Sequence, residues 1–211
     1  MKKVLTLLFA VSLTVSVFGQ DTVRIVHTNY ITTFSKSLKY PVKVEWTLTA
    51  NRVNCAKKLP RPAEFKPDPQ FPNTNYALDY KKSGYDKGHN CPDDDNACQT
   101  TDILEQSFYY TNVMPQPHSS NAGDWKSVET LCRSLAIKGN TVHIWSGGIG
   151  IQKKIGKDGI CVPKQTWKVV YTVNTKTYKA YLFNNTDEPQ KGANSHLVDK
   201  SVIEKLTGFK F

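Results

Sequence analysis

The stretch Gly123–Gly139, "GDWKSVETLCRSLAIKG", decides the fold class. Trp125, Val128, Leu131, Cys132 and Leu135 recur at steps of three and four, the spacing of one helix face. Asp124 stands where an N-cap belongs and Gly139 where a helix stops. On both sides of this segment the period changes. Upstream, Val23–Tyr30 and Tyr40–Thr49 ("YPVKVEWTLT") have strand character, the second with Val42, Val44 and Trp46 to one side. Downstream, "NTVHIWSGGIG" (140–150) is a buried strand ending in a glycine turn. "QTWKVVYTVNTKTYKAYLFNN" (165–185) is a hairpin turning near Asn174–Lys176, and "SHLVDKSVIEKLTG" (195–208) a short last helix. Strands, a helix, then strands again imply an α+β domain on a central, largely antiparallel sheet with helices packed on it.

The connection "KKLPRPAEFKPDPQFPNT" (57–74) is too rich in proline for regular helix or inner strand. It must be held by its surroundings, and loops of that length often carry function. The chain begins "MKKVLTLLFAVSLTVSVFGQ": two lysines, an apolar run too short for a membrane span, then a small residue. Residues 1–19 are thus expected to be a signal peptide and 20–211 a single exported domain, secreted or periplasmic, with no stable membrane association after cleavage. Lys and Arg total 28 against 18 Asp and Glu, a net charge of +10 that falls to +8 once Lys2 and Lys3 are removed. An exported basic domain attracts polyanions such as nucleic acid, anionic glycan or a membrane surface. Export permits disulfides, but the five cysteines leave at least one unpaired within the chain. Cys91 and Cys98 close a short loop and are the first pair expected; a zinc site using both with His89 or His118 is the less favoured alternative.

Chemistry concentrates in two clusters. In "YDKGHNCPDDD" (85–95), Gly88 allows a tight turn or close approach of backbone to ligand, and His89 can take up a proton near neutral pH. Asp86 is expected to fix the turn and Asp93–Asp95 to be a solvated acidic turn. In "FYYTNVMPQPHSSNAGDWKSVE" (108–129), steps of four from Asn121 pass through Trp125, Glu129 and Arg133. An amide oxygen and a carboxylate on one broad side suit a hard cation that keeps most of its waters. The same residues also suit a plain helix start with a solvated Glu129–Arg133 pair.

Taken together, "DKGH" at 86–89, "TNVMPQ" at 111–116 and "NAGDWKSVE" at 121–129 resemble the DNA/RNA non-specific endonucleases with a ββα-metal site, the Serratia-type extracellular nucleases. The resemblance runs from about Tyr40 to about Leu206. It implies His89 as general base, Asn121 as the protein ligand of a divalent metal, and Glu129 as the carboxylate holding that metal's waters. It implies Asn112 as a support for the histidine, Arg61 as a phosphate contact and Arg133 as a further arginine near substrate. The metal would be Mg²⁺, or Mn²⁺ or another divalent cation, and the substrates DNA and RNA, cut to leave 5′-phosphate ends. Lys87 stands where the family usually has arginine, which keeps the charge but loses the bidentate fork. Two other readings remain open at this point: a non-catalytic polyanion-binding module, and a phosphodiesterase for small substrates.

Overall fold

The computed structural model describes residues 21–188 and 191–211, so the expected signal peptide lies outside the described residues. The strands are β1 (Thr22–Val26), β2 (Ile31–Ser35), β3 (Tyr40–Leu48), β4 (Asp86–His89), β5 (Val113–Gln116), β6 (Val142–Ile149), β7 (Lys153–Ile155), β8 (Ile160–Val162), β9 (Gln165–Thr172), β10 (Thr177–Asn184) and β11 (Leu197–Val198). The helices are α1 (Ala50–Val53), α2 (Ala77–Tyr80), α3 (Thr101–Gln106), α4 (His118–Ser120), α5 (Lys126–Ile137) and α6 (Lys200–Thr207).

Seven strands form one sheet in the order β1-β2-β3-β6-β9-β10-β11, antiparallel at every pairing. The fold is therefore the α+β arrangement expected. Alternation along β3 sends Val44, Trp46 and Leu48 to one face, where Val142, Ile144, Val170 and Phe183 join them. The apolar stripe of α5 (Val128, Cys132, Ala136), with Trp125 just ahead of it, closes this core. On the opposite face Trp167, Val169 and Ala180 are covered by Ile203 of α6 and by Phe209 and Phe211. A third cluster joins Phe34 of β2 to Tyr76, Tyr80, Tyr110 and Ile160 under the proline-rich connection. That connection is irregular but anchored: Leu59 N–H donates to Ala97 (2.8 Å), Lys66 N–H to Phe108 (2.9 Å) and Tyr110 N–H to Lys66 (3.1 Å).

Several expectations are corrected. Val23–Tyr30 is not one strand, because the chain reverses at 27–30, with His27 N–H donating to Tyr30 (2.9 Å). His27 turns inward to meet Asp68 at 3.0 Å, and the buried Tyr30 hydroxyl donates to Gln106 O at 2.6 Å. Asp124 does not cap α5. Its carboxylate instead accepts from the backbone N–H groups of Lys191 and Gly192, both at 3.1 Å, and lies 3.0 Å from His196 Nε2. Asp124 thus ties the chain before β11 to the start of the helix. Gly139 does end the helix, at φ +88°.

The disulfide joins Cys55 to Cys98, with Cα atoms 5.6 Å apart across 43 residues, and not Cys91 to Cys98. Short separation in sequence lost to orientation. The Cys91 backbone is clamped by Asn112, and its buried Sγ accepts from Arg52 Nη2 (3.6 Å) and Asn96 Nδ2 (3.7 Å). With Cys98 consumed, the zinc alternative loses a ligand. Closing a loop of this length is expected to contribute about 2–4 kcal/mol through the unfolded chain. Cys98→Ser should lose that amount in denaturant unfolding, and peptide mapping of the native protein should find Cys91, Cys132 and Cys161 as thiols.

Candidate active site

β4 and β5 pair antiparallel outside the large sheet, with Asp86 opposite Gln116, Gly88 opposite Met114 and His89 opposite Val113. The chain then turns through α4 and a wide helical turn, Asn121–Trp125, into α5. Two strands and a helix thus carry "DKGH", "TNVMPQ" and "NAGDWKSVE". Gly123 (φ −100°, ψ −115°) breaks the helical path, so Asn121 and Glu129 do not lie on one continuous helix as the four-residue stepping assumed. Wide turns of this kind occur often at functional sites.

His89 is buried to 8% exposure between Phe65 and Phe108, each ring centroid 5.1 Å from its own. Burial drives the imidazole pKa down to about 4; Asp93 opposes this, while Arg61 and Lys168 add to it. His89 is therefore neutral through the physiological range. Its Nε2 is buried with no hydrogen-bond partner among the described residues, a costly state that recurs where a ligand or water completes the site. The His89 carbonyl accepts from Trp125 Nε1 at 3.1 Å, which fastens the end of β4 to the start of α5. Gly88 leaves no room for a side chain: an added Cβ would sit 1.8 Å from Gln116 Oε1.

Asn112 is fully buried. Its side chain accepts from Cys91 N–H (3.0 Å) and donates to Cys91 O (2.8 Å) and Ser107 O (2.9 Å), while its carbonyl accepts from Asn90 N–H (2.9 Å). It knits together the chain that leaves His89. Lys87 Nζ lies 5.3 Å from the Phe65 ring centre and 5.4 Å from that of Tyr80. The Arg61 guanidinium lies 5.2 Å from the Phe108 ring centre and 3.0 Å from Asp93. Phe65 and Phe108 thus form an aromatic floor shared by His89, Lys87 and Arg61.

Asn121 donates its amide N–H to Asp86 Oδ2 at 2.9 Å, and His118 Nδ1 meets the same oxygen at 2.8 Å. Asp86 does more than fix a turn, because it orients the asparagine and leaves the amide oxygen for a cation. Glu129 pairs with Lys168 at 3.1 Å, and Lys168, 1% exposed, sits 3.6 Å over the Trp125 ring. Burial raises the Glu129 pKa, and the Lys168 ammonium is the main opposing influence. Sequence reading missed Lys168; the signal was a lone cation inside the apolar strand "TWKVV".

Arg133 and the three aspartates form a network of their own. Buried Asp95 accepts from Trp46 Nε1 (2.9 Å) and Arg133 Nη1 (3.1 Å), Asp94 pairs with Lys58 (2.6 Å), and Asp93 with Arg61 (3.0 Å). The expected solvated turn is thus a pinned one. Asn121 offers an amide oxygen, and the buried Gln116 side chain, on the strand position opposite Asp86, has neither amide atom partnered among the described residues; both, like the Glu129 carboxylate, are hard oxygen donors of the kind that fit Mg²⁺ or Mn²⁺. Among the described residues no three His, Cys, Asp or Glu side chains cluster as a ligand cage.

A strand pair bearing a neutral histidine, leading into a helix start bearing an oriented asparagine, defines a nuclease of the ββα-metal class. The chain belongs to the DNA/RNA non-specific endonuclease family, whose pattern it matches over residues 11–211, and it is an endonuclease hydrolase. It is 30% identical over 206 residues to a nuclease of Nostoc sp., covering 90% of this chain and 73% of that protein. It is 30% identical to nuclease C1 of Cunninghamella echinulata var. echinulata, over 79% of this chain and 74% of that one. It is 31% identical to the mitochondrial nuclease EXOG of Danio rerio, but spans only 46% of that relative's length. Its fold matches the crystal structure of the EndoG/EndoGI complex with a TM-score of 0.77, at 23% identity, over 92% of this chain and 88% of that one.

In the metal-free protein, an NMR titration of the His89 ring should give a midpoint near 4, well below the 6.5 of a free imidazole. Gly88→Ala should lose activity because the Gln116 side chain has to move; retention of full activity would show that Gln116 yields freely.

Proposed function

We propose that the protein hydrolyses phosphodiester bonds in both DNA and RNA with little sequence preference, using His89 as general base and a divalent cation, Mg²⁺ or Mn²⁺, held by Asn121. The observation that carries this reading is the neutral, buried His89 beside Arg61 and Lys87, one strand pair away from an asparagine oriented by Asp86. A neutral imidazole accepts a proton from water attacking phosphorus in line with the leaving oxygen. Arg61 and Lys87 balance charge that builds on the phosphoryl oxygens. Glu129, paired with Lys168, orients water at the cation site. Asn112 fixes the backbone beyond His89, and Arg133 acts through Asp95 by stabilising the acidic turn that positions Asp93 against Arg61. The bound cation would supply charge neutralisation at the phosphate and acidify a water near the departing 3′ oxygen. Contacts to phosphate and sugar carry little base information, which supports low sequence preference, and departure of the 3′ oxygen would leave 5′-phosphate ends.

The Arg61 side chain is 60% exposed, which suits a polymer phosphate arriving over the surface. Cavities of about 780 and 320 Å³ lie elsewhere, the first lined by His27, Arg52 and Trp145, the second by Asp124, Asn184 and His196. Neither includes His89, Lys87, Arg61 or Asn121. Export is proposed from the leader-like first 19 residues and is supported by the disulfide, since such bonds persist in oxidising compartments. Among the described residues no helix is long and apolar enough to cross a membrane.

The test uses protein from Gln20 onward with supercoiled plasmid and single-stranded RNA, in Mg²⁺ and in chelator. Metal-dependent cutting of both is expected, and His89→Ala should lower turnover by roughly 10²–10⁴-fold. Folded His89→Ala with full activity would remove the base assignment. Asn121→Ala should shift the Mg²⁺ titration to higher concentration, and an unchanged titration would remove Asn121 as ligand. A salt-sensitive mobility shift without cutting would favour a binding module instead.

A further inference from the structure

The β7–β8 hairpin and the α2–β4 connection form one lysine-bearing ridge beside the site. Lys81, Lys82, Lys153, Lys154 and Lys157 are all exposed, and none is in an ion pair among the described residues. Exposed lysines without an ion pair occur elsewhere too, Lys138, Lys179 and Lys205 among them, so it is the mounting of these five that sets them apart. The ridge is held firmly. Buried Asp79 of α2 accepts from Asp158 N–H at 2.8 Å, and the hairpin turn sits so close that a Cβ on Gly156 would fall 2.0 Å from Asp79 Oδ1. Isolated surface cations on loose loops would suggest only solubility, whereas these are mounted on a docked turn.

The ridge is also continuous with the chemistry. Lys87 Nζ bridges the Phe65 floor under His89 and the Tyr80 ring of α2, and Lys81 and Lys82 follow Tyr80 directly. Lys153 Nζ lies 4.8 Å from the ring centre of Tyr85, the residue before Asp86. We propose that this ridge carries the sugar–phosphate backbone of a nucleic acid beyond the scissile phosphate, so that Lys81, Lys82, Lys153, Lys154 and Lys157 bind phosphates the site itself does not cut. The occupant follows from charge complementarity, since unpaired lysines on a rigid support match a row of phosphates, and their point charges require no base sequence. The proposal rests on the nuclease reading and deepens it by assigning the surface along which substrate extends.

The test replaces Lys153, Lys154 and Lys157 together with serine. A control of equal charge replaces Lys138, Lys179 and Lys205, which are exposed on other elements. In the hairpin variant, KM for plasmid and long RNA should rise at least about 10-fold near physiological salt, and the slope of log(kcat/KM) against log[salt] should become shallower by about 2–3. Hydrolysis of bis(p-nitrophenyl) phosphate, too small to reach the ridge, should be unchanged, and the control should leave all three readings unchanged. Unaltered KM and salt slope in the hairpin variant would overturn the proposal, as would an equal loss in the control, which would mean net charge alone. Anisotropy titration of a labelled 20-base-pair duplex in chelator separates this from the nuclease reading. Weaker binding by the hairpin variant alone supports the ridge even if no protein cuts, and equal binding by all three proteins overturns it even if cutting is robust.

Discussion

Asp95 is the constraint on which the site depends. One buried carboxylate accepts from Trp46 of β3 and from Arg133 of α5, while Arg52 of α1 donates to its backbone carbonyl at 3.0 Å. The sheet, the long helix and the turn that follows His89 therefore meet at a single charge. Burial alone would push this carboxyl toward neutrality, and the two guanidiniums counter that push. Removing one member of such a group leaves the others buried and uncompensated, typically at a cost of 3–5 kcal/mol. Two residues away Asp93 reaches Arg61, so the same turn that locks the framework also sets where the Arg61 guanidinium sits.

A second buried charge pair, Glu129 with Lys168, works on the opposite flank of Trp125. The indole links the two sides, donating to the His89 carbonyl at one edge and facing the lysine ammonium across its ring. The strand end carrying His89 and the Glu129–Lys168 pair are thus supported by one aromatic residue at the junction of hairpin and helix. Exclusion of water disfavours charge on both groups: it lowers the His89 pKa, with Arg61 and Lys168 adding to the effect, and raises that of Glu129, where Lys168 is the main opposing influence.

Much of this was legible in the chain. The apolar steps from Trp125 to Leu135 gave α5, the alternation in "YPVKVEWTLT" gave β3, and the Asn174–Lys176 turn gave the last hairpin, because each depends on local periodicity. The motif residues drew together because their spacing encodes two strands and a helix. What was not legible depends on long-range direction. Asp124 has the composition of a cap but faces residues far along the chain. Cys91 is near Cys98 in sequence but points into the core. Lys168 reads as an interruption in a strand until Glu129 is placed opposite it. The family resemblance allows one structural acid near Asp95, and packing shows which, since Asp95 is buried to 1% exposure.

The Cys55–Cys98 bond encloses a stretch of chain that contains Arg61, Lys87 and His89, while Asn121 and Glu129 lie outside it. The proline-rich connection, the most accessible long loop in that stretch, is inside the ring as well. A protease cutting there would open the ring without releasing a fragment, since both new ends remain joined through sulfur. The enclosed half of the site would stay tethered to the scaffold as long as the surroundings were oxidising. Only reduction and cleavage together would separate the two pieces.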